Sequence, residues 1–324
     1  MIGTPFLTAA TGQFDVTLLA KPFALDLQPR LWPDLTVEPF VAPWTAFTQK
    51  YHLWRWPWRQ IYHLNRRLTA VHFEFGISAR WDPRDHLMLK ILGAKHRLGF
   101  PRLHSESFLT QPLTRPDPEA HRYEFWRILG RALGLALPAR DQVSPTASAK
   151  REIVLIHTGA GQPVRVWPLE RYQQLAGRLR RKGIQTRIAC DPDQRAWWTA
   201  AGENVVAPAS VAELLRVIDQ AGVFIGNDSG PGHLAAACGI PTFTIFGSHL
   251  PEWFAPLHPA AEWIEGKVCP YLPCSDYCRF PEPFCVRDTS EDEVWSRVEK
   301  FVTRHVSAPA GPARQPVSSS TPGV

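Results

Sequence analysis

Residues 222–247 read GVFIGNDSGPGHLAAACGIPTFTIFG, and this stretch decides the fold. Two apolar runs, GVFIG and PTFTIFG, bracket a segment of small, helix-compatible residues. The first run stops abruptly at Asn227-Asp228-Ser229-Gly230. A strand, a sharp polar turn and a helix in that order leave free backbone N–H groups and the positive helix end at the turn, which is the geometry of an anion site. Gly230 and Gly232 permit close backbone approach, and Pro231 suits a first helical turn. The residues themselves leave two readings of the side chains open. Ser229 caps the helix or donates to an oxygen; Asp228 offsets the helix dipole or binds a ribose or sugar hydroxyl; His233 packs or donates to a phosphate.

The neighbouring sequence places this turn in a parallel sheet. EIVLIHTG (152–159) predicts a buried strand ending in a polar loop. PLERYQQLAGRLRRKG (168–183) predicts a helix with Leu169, Tyr172, Leu175, Ala176 and Leu179 on one face, a basic last turn and a stop at Gly183. IQTRIAC and NVVAP read as further strands, and Ser210 with Glu213 predicts a capping box for a helix over 211–220. Strands alternating with helices form βαβ units, whose ligands bind in the loops at the carboxyl ends of the strands. Those loops are 157–167, 191–194, 207–210, 227–232 and 247–253.

The first half is less regular. FDVTLLAKP (14–22) and LTAVHFEFG (68–76) predict buried strands, with His72 and Glu74 at the end of the second facing a cleft. WDPRDHLMLKILGA (81–94) predicts an Asp-capped helix, HRLGF a short strand, and 119–136 an amphipathic helix. The resulting organisation is an N-terminal α/β domain over 1–136, a linker over 137–151, a Rossmann-like domain over 152–305, and a disordered tail over 306–324.

Composition narrows the function classes. The chain has 324 residues, 44% of them hydrophobic, 20% charged, and carries a net charge of +6. That is a globular composition rather than a disordered one. Of its basic residues 28 are Arg and 8 Lys; arginine favours bidentate contacts to phosphate or carboxylate, and a GC-rich genome is the competing explanation. No run of about 20 apolar residues predicts a membrane span, and the N-terminus lacks the pattern of a signal peptide. The expected location is the cytoplasm.

With the flanking stretches IHTGAGQPVRVWPLERYQQLA, SVAELLRVIDQAG and PEWFAPLHP, the opening segment resembles the signature of glycosyltransferase family 9, the heptosyltransferase family. Asp228, Ser229, Gly230, His233, Leu234 and Ala235 to Ala237 carry the resemblance, which covers the second half of the chain well and the first half weakly. It implies a GT-B fold, two Rossmann-like domains facing a cleft, and inverting transfer of a sugar without a required metal cofactor. The implied donor is a nucleotide-diphosphate sugar resembling ADP-heptose, and the implied acceptor a lipid-linked saccharide of the lipopolysaccharide core. The chain would act at the cytoplasmic face of the inner membrane. On this resemblance Asp228 through Gly232, with His233, hold the diphosphate and sugar, and Thr158 donates to phosphate oxygens. Arg165 stands where the family commonly has Lys and stabilises the departing diphosphate. Asp193 or Gln194 falls where an acid meets the nucleoside ribose. Trp167 reads as packing at the start of its helix, with a stacking platform as the competing reading.

The resemblance also implies an opening strand and a Gly-Asp loop bearing the catalytic base, which would lie before Met1. A misassigned start and a truncated copy are the two explanations. The alternative function is a nucleotide-sugar or glycolipid binder without a base.

Two further features stand apart. Cys269, Cys274, Cys278 and Cys285 would suit a tetrahedral structural zinc, with reduced, unliganded thiols as the competing reading, while Cys190 and Cys238 read as core residues. Residues 44–68 combine Trp44, Trp54, Trp56 and Trp58 with Arg55, Arg59, Arg66 and Arg67. That stretch reads as a helix packed on the N-terminal domain, a surface for an anionic membrane, or a platform for sugar rings; nothing else along the chain favours nucleic acid.

Overall fold

The computed structural model describes residues 1–45, 52–145, 151–274 and 277–306. The C-terminal half is built on six parallel strands: β6 (Val154–His157), β7 (Thr186–Ala189), β8 (Val205–Val206), β9 (Val223–Asn227), β10 (Thr242–Phe246) and β11 (Ala261–Glu265). Their order across the sheet is β11-β10-β9-β6-β7-β8. β6 is therefore central, and the chain reverses direction of travel between β6 and β9. In such sheets the crevice outside the carboxyl ends at that reversal is where ligands bind.

Both faces of the sheet centre are covered, which is why β6 and β9 read as apolar runs up to their carboxyl ends. Side chains alternate across the pleat. Val154 and Ile156 of β6 pack with Tyr172, Leu175 and Leu179 of α6 (Leu169–Arg181) and with Val294, Val298 and Phe301 of α12 (Glu291–His305). Leu155 faces the other way, toward Leu215 and Ile218 of α8 (Val211–Ile218) and Leu234 and Ala235 of α9 (Gly230–Ala237). Three short helices complete this half: α7 (Arg195–Ala200), α10 (Pro251–Phe254) and α11 (Phe284–Arg287).

The N-terminal half carries helices α1 (Thr4–Thr11), α2 (Ala24–Leu31), α3 (Trp58–Thr69), α4 (Pro83–Ile91) and α5 (Tyr123–Ala132). Its strands fall into two separate parallel sheets, β1 (Thr17–Ala20) with β2 (Thr36–Pro39), and β3 (Phe75–Ile77) with β4 (His96–Gly99) and β5 (Gln111–Pro112). Phe14 meets Phe75 between them, ring centroids 5.7 Å apart.

The two halves share one apolar cluster that runs from Phe6, Leu27 and Phe125 to Leu215, Ile218 and Leu234. Polar contacts lock the same junction. His121 Nε2 donates to the Ala255 carbonyl at 2.9 Å, and the Arg122 N–H to that of Trp253 at 3.0 Å. The Arg122 guanidinium lies 4.3 Å from the Trp253 ring centroid.

Several expectations shift in the structure. The strand expected over 68–76 is instead the end of α3, a turn with His72 at φ 57°, and only then β3 at Phe75–Ile77. Leu64 and Leu68, one helical turn apart, bury against Met88 and Leu92, and this packing overrides the β preference of the Thr-Ala-Val run. His72 and Glu74 consequently sit before β3 begins, at the opposite end from the carboxyl edge. Glu74 is exposed and paired with Lys95 at 3.0 Å. β11 and α12 are additions to the sequence reading, although Ser290 and Glu293 form a reciprocal capping box that announces α12. The linker residues 146–150 and the tail residues 307–324 lie outside the described residues.

Candidate functional site

The site is built where β6, β7 and β9 end. Asn227, the last residue of β9, is fully buried and all its side-chain capacity is used. Its Oδ1 accepts from the Trp167 backbone N–H at 2.9 Å and the Tyr172 hydroxyl at 2.8 Å. Its Nδ2 donates to the carbonyls of Thr158 at 2.9 Å and Gly159 at 3.3 Å. One amide thus ties the β6 loop, the start of α6 and the end of β9 together. Trp167 is fully buried as expected, with Nε1 donating to the Thr289 carbonyl at 2.8 Å. Arg165 stands two residues upstream of this anchored backbone, in the 3-10 turn Pro163–Arg165.

At the helix itself, Ser229 takes extended backbone angles as the N-cap of α9 but does not cap it. Its hydroxyl donates to the Asn227 carbonyl at 3.2 Å instead. Pro231 has no N–H, so the amides of Gly230 and Gly232 form the uncapped, electropositive end of α9. This removes the reading in which Ser229 only closes the helix. Asp228 is buried beside that end, and its Oδ2 accepts from His249 Nδ1 at 2.6 Å. His249 lies in the loop after β10, 4.7 Å from the Phe254 ring, which holds its imidazole in place. One oxygen of Asp228 is thereby committed.

One cavity opens beside Pro231 at the start of α9, and a second runs along the flank of the helix, from His233 to Ala237 and Cys238. The first, of about 430 Å³, is lined by His157, Asp191, Ser210 and Pro231 together with Phe23 and Asp26 of the N-terminal half. The second, of about 410 Å³, is lined by His233 and Leu257 with Thr4, Thr8 and Arg30.

Not every residue expected at the site reaches it. Thr158 is fully buried; its Oγ1 donates to Gln194 Oε1 at 2.8 Å and accepts from Trp198 Nε1 at 3.3 Å. Its hydroxyl is therefore spent inside the protein. Gln194 returns the bond to the Thr158 carbonyl at 3.2 Å and joins two loops instead of facing a ligand. Asp193 is exposed on the short 3-10 helix, and the acid in the cavity is Asp191. The Asp191 carboxylate lies over Gly159 so closely that a Cβ there would come within 2.1 Å of its Cγ. Burial raises the Asp191 carboxyl above its ordinary value, with Asp193 adding to the effect. His157 Nε2 stands 3.9 Å from Asp191 Oδ1, and burial pulls its imidazole down to about 4, so it is neutral at pH 7. Asn227, Asp191, His157 and His249 were the residues missed. The signal was present for Asn227 and Asp191, each the first strongly polar residue at the carboxyl end of an apolar strand.

The cysteine segment folds back on the same edge, with the Cys274 N–H donating to the Ser248 carbonyl at 3.2 Å. All six cysteines are free thiols, and Cys190 and Cys238 are buried in the core. Burial raises the Cys274 thiol, with Cys278 and Cys269 adding to this and Arg165 opposing it. Among the described residues no three His, Cys, Asp or Glu side chains are grouped to hold a metal ion.

The sequence profile of glycosyltransferase family 9 (heptosyltransferase) matches residues 61–280. The chain belongs to this family. The family 9 chain is 27% identical over 236 residues to lipopolysaccharide heptosyltransferase 1 of Pseudomonas aeruginosa, a match covering 67% of this chain and 65% of that protein. It is 29% identical over 109 residues to lipopolysaccharide heptosyltransferase 3 of Escherichia coli K12, covering 31% and 32% of the two chains. The chain thus spans about two thirds of the first curated relative and about a third of the second. In fold, it is similar to ADP-heptose lipopolysaccharide heptosyltransferase II of E. coli, with a TM-score of 0.68 at 16% identity, covering 94% of this chain and 95% of that one. It is also similar to E. coli heptosyltransferase WaaC with ADP, with a TM-score of 0.70 at 18% identity, covering 93% and 95%. The likeness gives the family 9 chain the GT-B architecture. No helix among the described residues is long and apolar enough to cross a membrane.

Proposed function

We propose that this chain is an inverting glycosyltransferase that moves a sugar, heptose, from a nucleotide-diphosphate donor to a lipopolysaccharide-core acceptor at the cytoplasmic face of the membrane. The observation that carries the reading is the uncapped N-terminus of α9, placed at the reversal point of a parallel sheet with a cavity beside Pro231. Family membership supports it, as do structures of a similar E. coli enzyme with ADP and with ADP-2-deoxy-2-fluoro heptose.

In this reading the diphosphate lies on the Gly230 and Gly232 amides, where the helix field offsets its charge. The nucleoside occupies the cavity with Asp191, whose carboxylate accepts from a ribose hydroxyl. The sugar lies toward His233, and the second oxygen of Asp228 accepts from one of its hydroxyls. Arg165 faces the leaving diphosphate and stabilises the charge that grows on it as the glycosidic bond breaks. Donor chemistry here needs no metal, because the helix terminus and an arginine supply the positive charge. The base that deprotonates the acceptor is not assigned to a residue.

Turnover tests this directly. Release of ADP from ADP-heptose should require both enzyme and a deacylated lipopolysaccharide-core acceptor, and Asp228→Asn should lower kcat/KM by at least tenfold. Donor binding without acceptor-dependent ADP release would reduce the chain to a binder.

A further inference from the structure

We propose that the surface formed by residues 53–66 docks onto an anionic lipid bilayer. The surface comprises the 3-10 turn Leu53–Arg55 and the outer face of α3. Only Leu64 and Leu68 of α3 are buried. Leu53, Trp54, Trp58 and Tyr62 are 53%, 76%, 52% and 61% exposed, an unusual load of large apolar groups for one short stretch facing water.

Trp58 is held rather than dangling. Trp58 Nε1 donates to the Leu53 carbonyl at 2.8 Å, joining the turn to the helix. The rings of Trp44, Trp56 and Trp58 follow one another at 5.4 Å spacings from the interior to the surface. Trp44 is buried at the inner end, where its Nε1 donates to Asp85 Oδ1 at 2.6 Å. An anchored ring such as Trp58 loses little side-chain entropy on contact.

Charge selects the occupant. The sequence has no Asp or Glu between residues 41 and 73, whereas Arg55, Arg59, Arg66 and Arg67 lie within or beside this surface. Arg67 is paired with Glu38 at 2.6 Å; Arg59 and Arg66 have no carboxylate partner among the described residues. A protein partner is ordinarily met by mixed charge, while amphipathic aromatics interleaved with arginine match the headgroup region of an anionic bilayer. The indoles and the phenol would lie at the level of the headgroups and the guanidiniums on their phosphates. Such docking rests on the lipid-linked acceptor proposed above, and would hold the cleft beside it without any spanning helix.

Sedimentation with lipid vesicles tests it, using the full chain without acceptor. Binding is expected to phosphatidylcholine vesicles containing about 30% phosphatidylglycerol, to weaken as salt rises, and to be absent with phosphatidylcholine alone. Arg59→Gln/Arg66→Gln should lower the partition coefficient roughly 30-fold, since each arginine at such a surface is worth about 1 kcal/mol. Leu53→Ser/Trp54→Ser, which alters exposed groups only, should lower it as well, with thermal stability unchanged. ADP-heptose affinity should be unchanged in both variants. Equal binding to neutral and anionic vesicles, wild-type binding by both variants, or binding only when the vesicles carry the saccharide acceptor would overturn the docking surface. Loss of donor binding in the wild type alongside intact vesicle binding would instead overturn the glycosyltransferase reading.

Discussion

Asn227→Ala is the perturbation that tests how the site is framed. The substitution strips four hydrogen bonds from a fully buried position. The Trp167 N–H and the Tyr172 hydroxyl lose their partner where solvent does not reach, while the Thr158 carbonyl keeps Gln194 Nε2. Each such orphan costs about 1–3 kcal/mol, so the expected loss is about 3–5 kcal/mol, allowing for one water in the vacated space. That is a large share of the roughly 5–15 kcal/mol that stabilises an ordinary domain. Tyr172 supplies an internal control. Burial pushes its phenol well above its ordinary value, so it remains an O–H donor throughout the working range. Tyr172→Phe alone should cost about 1 kcal/mol, but in the Asn227→Ala background it removes an orphan and should cost nothing or stabilise. The double-mutant cycle therefore carries a coupling of about 1–2 kcal/mol. Urea unfolding followed by tryptophan fluorescence measures all four proteins. A single-variant loss under 1 kcal/mol with zero coupling would refute the idea that this amide organises the site.

Two further outcomes follow from neighbouring contacts. His249→Ala frees the committed oxygen of Asp228 and lets its carboxylate turn, so ADP-heptose affinity should fall about tenfold while ADP affinity changes little; His249→Asn, which returns a donor near Nδ1, should recover most of the loss, and equal losses for both ligands would reject His249 as a positioning residue. Acid should loosen the junction between the halves. His121 donates from Nε2 to Ala255, and its Nδ1 accepts from the Tyr123 N–H, so the neutral ring is the one the structure accommodates. Burial, with Arg140 adding to it, lowers this imidazole to about 3. The folded value lies below the unfolded one of about 6.5, so the unfolded chain takes up the proton first. The stability supplied by neutral His121 is complete above pH 6.5 and falls as pH drops from 6.5 toward 3, by up to about 1.4 kcal/mol per pH unit. The urea midpoint at pH 4.5 against pH 7 measures it, and a profile no flatter in His121→Gln would reject the assignment.

The C-terminal half was legible because its physics is local. Strands β6, β9 and β10 are buried throughout and are dominated by apolar residues, and α6 and α8 carry a single buried stripe. The turn at Asn227–Gly230 announced itself by ending such a run. What sequence reasoning missed depends on three-dimensional neighbours. Thr158 and Asp191 follow adjacent strands, and only the sheet order shows that the threonine hydroxyl is taken up by Gln194 while Asp191 seats against Gly159. His249 is remote in sequence from Asp228, and no spacing rule links them. In the N-terminal half, Leu64 and Leu68 find Met88 and Leu92 and keep helical a segment whose own residues favour a strand.

The central claim is that the N-terminus of α9 holds the donor diphosphate. Gly230 offers a clean probe, because a Cβ built there meets no atom within 4 Å and its side of the helix end opens outward. Gly230→Val should therefore fold with unchanged thermal stability yet place its methyl groups where the diphosphate would lie. Isothermal titration with ADP-heptose is expected to give a single site on the wild type and at least a hundredfold weaker binding to Gly230→Val. Equal affinity in a variant that melts like the wild type would place the diphosphate elsewhere and contradict the account.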